Sequence, residues 1–366
     1  MIKVTLTNEI LRYIIEIEQN RYKVSSVKLS KTVMNKLRKN SKKKSSYASN
    51  KIEGNPLSEK QVNEVIESDE RKHYLKPEQE VRNYFLALNY LEEKVKNKEK
   101  FSEKLILDVQ KLVEKGASKE KIGLRGSMPP GVLFAVYDSK TGNPDYIPPE
   151  YCDIPGLLDE LVEYVNTTDD HPLIVAAVVH YQLVTIHPFE DANGRTARLL
   201  SGYVMDLNGY GFNGIGSLEE YFAYDIDEYY KSIQMGLPAL YYSGRENPPH
   251  PEIWINYFLR MVKLYSGKVC DLQLASEEED IAGSLSFLKG KEKELLLFLM
   301  KNYRGEFTPI EISRELSVTN KTIINRLTIL VKNGFVIPIL VNKRIRSYEW
   351  SEFTKDHEKQ IIKAIS

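Results

Sequence analysis

The densest chemistry in the sequence is the run His187-Pro-Phe-Glu-Asp-Ala-Asn-Gly-Arg-Thr-Ala-Arg198. Pro188 cannot extend a helix, so the apolar helix before it must end at His187. Glu190 to Gly194 then makes a tight polar loop, in which Asn193 and Gly194 allow successive backbone N–H groups to aim one way as an anion-binding nest. A helix beginning near Arg195 adds its positive end. Arg195 and Arg198 lie three apart and are expected on one side of its first turn. Backbone donors, a helix dipole and two guanidinium forks suit a di- or triphosphate. Asp191 within that cationic cup calls for Mg²⁺, which one carboxylate usually holds together with phosphate oxygens and water. His187 beside the loop is a natural base for a hydroxyl near pH 7. The chemistry implied is transfer of a phosphate-containing group from a nucleotide to a hydroxyl.

These residues need a helical frame to hold them. Apolar spacing predicts helices around Val81–Leu91, Leu105–Val113, Ile154–Val165, Leu173–Ile186, Arg195–Asn208, Leu218–Met235 and Ile253–Gly267. A shorter helix is expected at about 45–54, stopped by Gly54 and Pro56, and a capping box at Ser58 and Gln61 opens the next. Gly123–Pro149 is rich in Gly and Pro and contains the β-favouring run Val132–Tyr137. Turn formers at Asp138–Asn143 follow, so it reads as a β-hairpin at about 130–148.

Residues 1–40 read as an N-terminal arm with a short β-like run at Ile2, Val4 and Leu6. Eight of the seventeen residues from Lys28 to Lys44 are Lys or Arg, which reads as a solvated face. The core is placed at 41–275 and a linker at 276–290, where the chain turns acidic. The remainder, 291–366, reads as helix, turn, helix and a two-stranded wing, with Thr319–Asn333 as the second helix of the pair and Phe335–Leu340 and Ile345–Trp350 as strands. Lys321, Asn325 and Arg326 are placed there to meet duplex DNA, and Lys343, Arg344 and Arg346 fall in or beside the wing; the other reading of the module is protein docking or dimerisation.

Composition narrows the function classes. In 366 residues, 51 Lys and Arg balance 51 Asp and Glu, so no global field steers the chain to nucleic acid or membrane. Leu173–Val179 is the longest unbroken apolar stretch and is too short to span a bilayer. The first twenty residues are interrupted by Asn and Glu, unlike a signal peptide. Cys152 and Cys270 give neither a disulfide framework nor metal spacing. A cytoplasmic protein without a membrane partner is expected. Gly209–Gly214 fits GxGxxG but follows a helix rather than a strand, so it reads as a helix-ending loop. His180, two turns before His187, reads as a core histidine.

The dodecapeptide resembles the signature of the Fic family, HPFx(D/E)GNGRxxR, departing from it only at Ala192, where Gly is usual. The resemblance implies a mainly α protein: an all-helical Fic core with a β-hairpin flap, here followed by a C-terminal winged helix-turn-helix domain. It implies a protein adenylyltransferase moving AMP from ATP to a Ser, Thr or Tyr hydroxyl of a target protein. His187 is then the general base and Asp191 the Mg²⁺ ligand. The Asn193–Gly194 region supplies the anion hole, with Ala192 and Asp191 also counted among the phosphate-binding residues; Arg195 binds near the β-phosphate and Arg198 binds the γ-phosphate. Phe189 is a buried anchor, and Tyr224, from the set Tyr221, Phe222, Tyr224, Tyr229 and Tyr230, is placed at the adenine. Ser49-Asn-Lys-Ile-Glu53-Gly54 matches the family's inhibitory pattern (S/T)xxxE(G/N), upstream of the core as in class II, so Glu53 is expected to take Arg198 from the nucleotide. The partners expected are ATP, a target protein, DNA through the winged helix, and a second copy of the chain in a homodimer; the sequence leaves open what releases Glu53. Alternatives are removal of AMP or another phosphate-group transfer on the same fold, or a nucleotide-sensing winged-helix transcriptional regulator.

Overall fold

A helix that is apolar on nearly every face must be surrounded by protein. Pro172–Ile186 is such a sequence and forms α7, buried at every residue except Pro172 and Val184. The computed structural model of the chain describes residues 2–68, 71, 73–117, 122–132, 134–137, 142, 144–235, 237, 248 and 250–366. Its contacts divide the chain into two units, Met1–Val24 with Leu37–Val269, and Ser25–Lys36 with Cys270–Ser366. Preceding α7 are α1 (Asn8–Ser26), α2 (Lys31–Ile52), α3 (Glu59–Glu67), α4 (Lys76–Lys96), α5 (Glu103–Glu114), the strands β1 (Val136–Tyr137) and β2 (Pro144–Tyr146), and α6 (Ile154–Thr167). Following it are α8 (Asn193–Leu207), α9 (Glu219–Tyr224), α10 (Ile226–Gln234) and α11 (Pro251–Ser286).

In the first unit α8 lies along α7, with α4 and α5 against α8 and α6 against α7. The Trp254 indole of α11 donates to the Ala177 carbonyl of α7 at 2.8 Å. Burying such large side chains, each worth about 1.5–3 kcal/mol relative to exposure, makes α7 and α8 a stiff platform for the loop between them. The capping box opens α3 as expected, with the Ser58 hydroxyl on the Gln61 N–H and the Gln61 side chain on the Ser58 N–H. β1 and β2 pair antiparallel, Val136 opposite Tyr146. The expected turn of this hairpin (Asp138, Ser139, Lys140, Thr141, Asn143), together with Leu133, lies outside the described residues.

Three sequence expectations need correction. No strand forms at residues 2–7, where Ile2 is instead buried in a non-helical lead into α1. The helix expected at 45–54 begins at Lys31, because the Lys- and Ser-rich stretch before it contains no breaker and Lys and Arg are good helix formers. It still stops where expected: Ile52 is its last residue, and Gly54 takes φ +80° as the terminating left-handed residue. The acidic stretch read as a linker at 276–290 continues α11 as far as Ser286, since Glu also favours helix and Gly283 alone does not end it.

The second unit contains α12 (Gly290–Asn302), α13 (Pro309–Glu315), α14 (Asn320–Lys332), β3 (Val336–Val341), β4 (Arg344–Trp350), α15 (Glu352–Asp356) and α16 (Glu358–Ile365). Leu295, Leu299, Phe307, Ile312, Leu327 and Phe335 belong to its core. Thr308 caps α13 through a capping box with Glu311, and Pro309 occupies the first turn. β3 and β4 form a hairpin turning at Asn342 and Lys343, both with positive φ, as a two-residue turn matched to strand twist requires. Residues 25–36 join this unit through Ser30, whose N–H donates to Asp280 Oδ2 at 2.9 Å.

Candidate active site

The end of α7 sets the first catalytic candidate. His187 closes the helix with φ 48° and ψ 58°, and its N–H donates to the Leu183 carbonyl at 3.1 Å. Its ring Nδ1 lies 3.2 Å from the Val184 carbonyl, which only a protonated Nδ1 can satisfy. Nε2 is therefore the nitrogen with the lone pair. Burial pushes the His187 pKa down to about 4; Arg125 adds to this, while the Val184 hydrogen bond and the charges of Glu53 and Asp191 oppose it. The ring is neutral at pH 7, as a proton acceptor must be.

The loop after it is held by its own side chains. Phe189 is fully buried, and Asn193 clamps its backbone twice: Oδ1 accepts from the Phe189 N–H at 3.0 Å and Nδ2 donates to the Phe189 carbonyl at 2.9 Å. Asn193 thus shapes the loop with its side chain, while its N–H and those of Gly194 and Arg195 open α8 with no carbonyl four residues back within the helix. Such a helix start is a ready anion site. Ala192, just before it, sits left-handed at φ 66°, ψ 15°, a conformation that costs an L residue roughly 1–2 kcal/mol. Ala192→Gly is therefore expected to leave stability unchanged or raise it by up to about 1 kcal/mol, after loss of one buried methyl group. Ala197→Gly, within α8, should cost about 1 kcal/mol or more. Denaturant midpoints of the two variants check the opposite signs.

The two arginines part company. Arg198 is buried; its Nε donates to the Ser49 hydroxyl at 2.8 Å, and Nη2 donates to the Ser49 carbonyl at 3.1 Å and to Glu53 Oε1 at 2.6 Å. Nη1 reaches the Tyr229 hydroxyl at 3.3 Å, and that hydroxyl lies 2.9 Å from His180 Nε2. Burial alone would lower the Arg198 pKa, but Glu53 and its neighbours raise it, so Arg198 stays charged. His180 is a core residue, its ring tilted against that of Trp254 with centroids 4.8 Å apart, and burial holds it neutral. Arg195, by contrast, is drawn away to Glu114 at 3.0 Å and Asp191 at 3.2 Å. The spacing led us to expect both guanidiniums on one side, but the buried Glu114 carboxylate captures Arg195. Glu114→Ala should cost about 3 kcal/mol, the low end for breaking a buried pair, because Asp191 remains with Arg195. Urea unfolding measures it.

Glu53 reaches this site because α2 is fastened beneath it. The Ser45 hydroxyl donates to the buried Glu219 carboxylate at 2.8 Å, and Tyr84 donates to the same carboxylate at 2.9 Å. Ser49, one turn before Glu53, is fully buried. A cavity of about 190 Å³ lies in front, lined among others by Glu53, His187, Gly194, Arg198, Tyr229 and Tyr230. Volumes of about 300–1,000 Å³ are usual for small-molecule sites, and Glu53 forms part of the wall of this smaller one. A Cβ on Gly194 would stand 2.5 Å from Glu53 Oε1, so only glycine allows the carboxylate so close to the helix start. Tyr224 does not take the expected place: it ends α9 with 93% exposure and is absent from the cavity lining. The reason is the break at Asp225, which ends α9 and caps α10, so that the buried Tyr229 and the half-exposed Tyr230 line the cavity instead. Arg125 and Glu114, each important to this geometry, gave no sequence signal because their partners are 62 and 81 residues away.

Asp191 has a partly exposed side chain, and its Oδ1 accepts from the Ala192 N–H at 2.7 Å. Among the described residues no group of three or more His, Cys, Asp or Glu could hold a metal ion. The single Asp191 carboxylate is a donor of the kind that a hard cation accompanied by phosphate oxygens and water would use. Also among the described residues, no helix is long and apolar enough to cross a membrane.

Residues 50–205 match the Fic/DOC family. The chain is 27% identical over 208 residues to the protein adenylyltransferase Fic of Drosophila virilis, covering 54% of this chain and 40% of that protein. It is 33% identical over 146 residues to the protein adenylyltransferase fic-1 of Caenorhabditis briggsae, covering 37% and 27%. The chain therefore spans well under half the length of these relatives. A crystal structure of a Fic family protein from Desulfovibrio desulfuricans shares the fold, with TM-score 0.59 and 19% identity over 96% of this chain and 98% of that one. Fic-1 of C. elegans does so with TM-score 0.56 and 23% identity over 73% and 72%. The mainly helical architecture is that of the Fic fold, and residues 50–205 form a Fic/DOC domain within the chain.

Proposed function

We propose that this chain is an ATP-dependent protein adenylyltransferase restrained by its own Glu53. The observation that carries the reading is the Glu53–Arg198 ion pair at 2.6 Å in the cavity that His187 and the start of α8 also line. An acid placed on a buried guanidinium, beside a neutral imidazole and unpaired helix-start donors, occupies the position a phosphate would take. With Glu53 withdrawn, Arg198 receives the γ-phosphate, and the N–H groups of Gly194 and its neighbours receive the charge nearer the α-phosphate. His187 Nε2 takes the proton of a target Ser, Thr or Tyr hydroxyl. The oxygen attacks the α-phosphorus, its bond to the bridging oxygen of the β-phosphate breaks, and pyrophosphate leaves. Asp191 is the side chain that would hold Mg²⁺ on the nucleotide, where the ion would offset phosphate charge. Arg195 acts through the loop, fixing Asp191 from the side of Glu114. β1 and β2 offer an edge along which an extended target segment pairs.

Incubation with α-labelled ATP and Mg²⁺, followed by a search for label on protein, tests this. Label appearing on protein supports transfer. Release of AMP from a pre-labelled protein without any forward labelling identifies the reverse reaction instead.

A second role rests on the second unit. α14 carries no acidic residue and exposes Lys321 and Asn325, while Lys343, Arg344 and Arg346 are exposed at and beside the hairpin turn. A helix-turn-helix with a basic wing meets duplex DNA in this way. Gel shift of duplex DNA should weaken steeply with added salt. Binding that ignores salt, or no shift at all, removes the DNA role and leaves the adenylyltransferase reading intact.

A further inference from the structure

Arg125 stands immediately before the flap, almost wholly buried at 5% exposure. Its Nε donates to the His187 carbonyl at 2.8 Å, its Nη2 donates to the Pro149 carbonyl, and its backbone N–H donates to the Pro188 carbonyl at 2.9 Å. The guanidinium lies 4.7 Å from the centroid of the Phe134 ring, which in turn lies 6.0 Å from the His187 ring. These contacts answer a need created by Pro188. A helix end leaves carbonyls without intrahelical partners. At α7, the Val184 carbonyl meets His187 Nδ1 and the Thr185 carbonyl takes the Tyr146 hydroxyl at 2.6 Å. The carbonyls of His187 and Pro188 fall to Arg125, whose charge also faces the negative end of the helix dipole. Arg125 and Pro149 are the two roots of the flap segment. One guanidinium therefore ties both roots to the backbone that carries the His187 ring.

We infer that Arg125 is a positioning residue for the transfer step: it holds His187 in its left-handed backbone conformation and fixes the flap to it, so that base and target-pairing edge keep one register. Arg125 is not part of the lining of the His187–Arg198 cavity, so it acts through His187 and the flap. The planar fork serves two carbonyls at once, which a lysine ammonium at the same place does less well. The inference rests on the adenylyltransferase reading, and the test separates the two.

Arg125→Met and Arg125→Lys are made in the Glu53→Gly chain. Three quantities are read: the rate of label transfer at saturating ATP, ATP affinity by calorimetry, and the His187 imidazole signals by ¹⁵N NMR, assigned with His187→Ala. Misplacing a reacting group by about 1 Å costs about 100-fold, so Arg125→Met should lose at least about tenfold in transfer rate with ATP affinity unchanged. Arg125→Lys should recover part of the rate, and the Nδ1-protonated signature of His187 should be lost in Arg125→Met. An unaltered transfer rate, or a loss mirrored by ATP affinity, overturns the inference. If the Glu53→Gly parent itself transfers nothing, the functional reading fails. The NMR arm still decides on Arg125, because a His187 signature unchanged in both variants overturns its positioning role. If Arg125→Met does not fold, Arg125→Lys alone carries the same tests.

Discussion

Glu53→Gly is expected to raise the rate of AMP transfer to protein by roughly 10- to 100-fold, the equivalent of one charge-assisted hydrogen bond of about 1.5–3 kcal/mol returned to the nucleotide. The argument is geometric. Arg198 is buried and its donors are divided among Ser49, Glu53 and Tyr229, so a γ-phosphate must displace a carboxylate at 2.6 Å. Removing that carboxylate leaves Arg198 needing an anion, which ATP supplies. Two further observables follow. ATP should raise the melting temperature of Glu53→Gly much more than that of the parent, since ligand at 100 times its Kd stabilises by about 2.7 kcal/mol. Without ATP the variant should melt below the parent, because a buried charge has lost its partner. Equal transfer rates in the two chains, measured with α-labelled ATP, contradict restraint by Glu53.

Adding His187→Ala to the released chain should lower transfer by about 10²- to 10⁴-fold, the usual share of a positioned general base. ATP binding should persist, since Arg198 and the helix start are untouched. The protonation state of His187 can be followed directly. Its pKa is depressed from 6.5 to about 4 in the folded chain. Between those values the unfolded chain binds the extra proton, so stability rises with pH from about 4 to 6.5, and this contribution is lost as pH falls through that window. An imidazole titration by NMR should show a midpoint near 4 in the nucleotide-free protein. A midpoint at 6.5 places His187 in water and removes the cavity wall from which the mechanism starts.

Which parts were legible in the sequence follows from range. Everything carried by local chemistry was visible: the stop at Pro188, the capping box at Ser58 and the apolar body of α7; the pairing of Glu53 with Arg198 followed instead from the resemblance of two short patterns to those of a known family. The start of α2 was not legible, because a Lys-rich stretch without a breaker continues a helix without announcing it. Tyr224 stands outside the cavity lining because the break at Asp225 changes which tyrosines reach it, a choice set by tertiary packing. Glu114 and Arg125 could not be found at all. Their partners lie far along the chain, and a single buried ion or a carbonyl-capping arginine leaves no periodic trace.

A crystal structure of Glu53→Gly grown with ATP and Mg²⁺ bears most directly on the central claim, that the hollow between His187, Gly194 and Arg198 is a nucleotide site which Glu53 closes. The account predicts a triphosphate there, with terminal phosphate on Arg198 and its α-phosphorus facing His187 Nε2. Nucleotide bound elsewhere, or a hollow still empty while Arg198 keeps only its Ser49 and Tyr229 contacts, contradicts it.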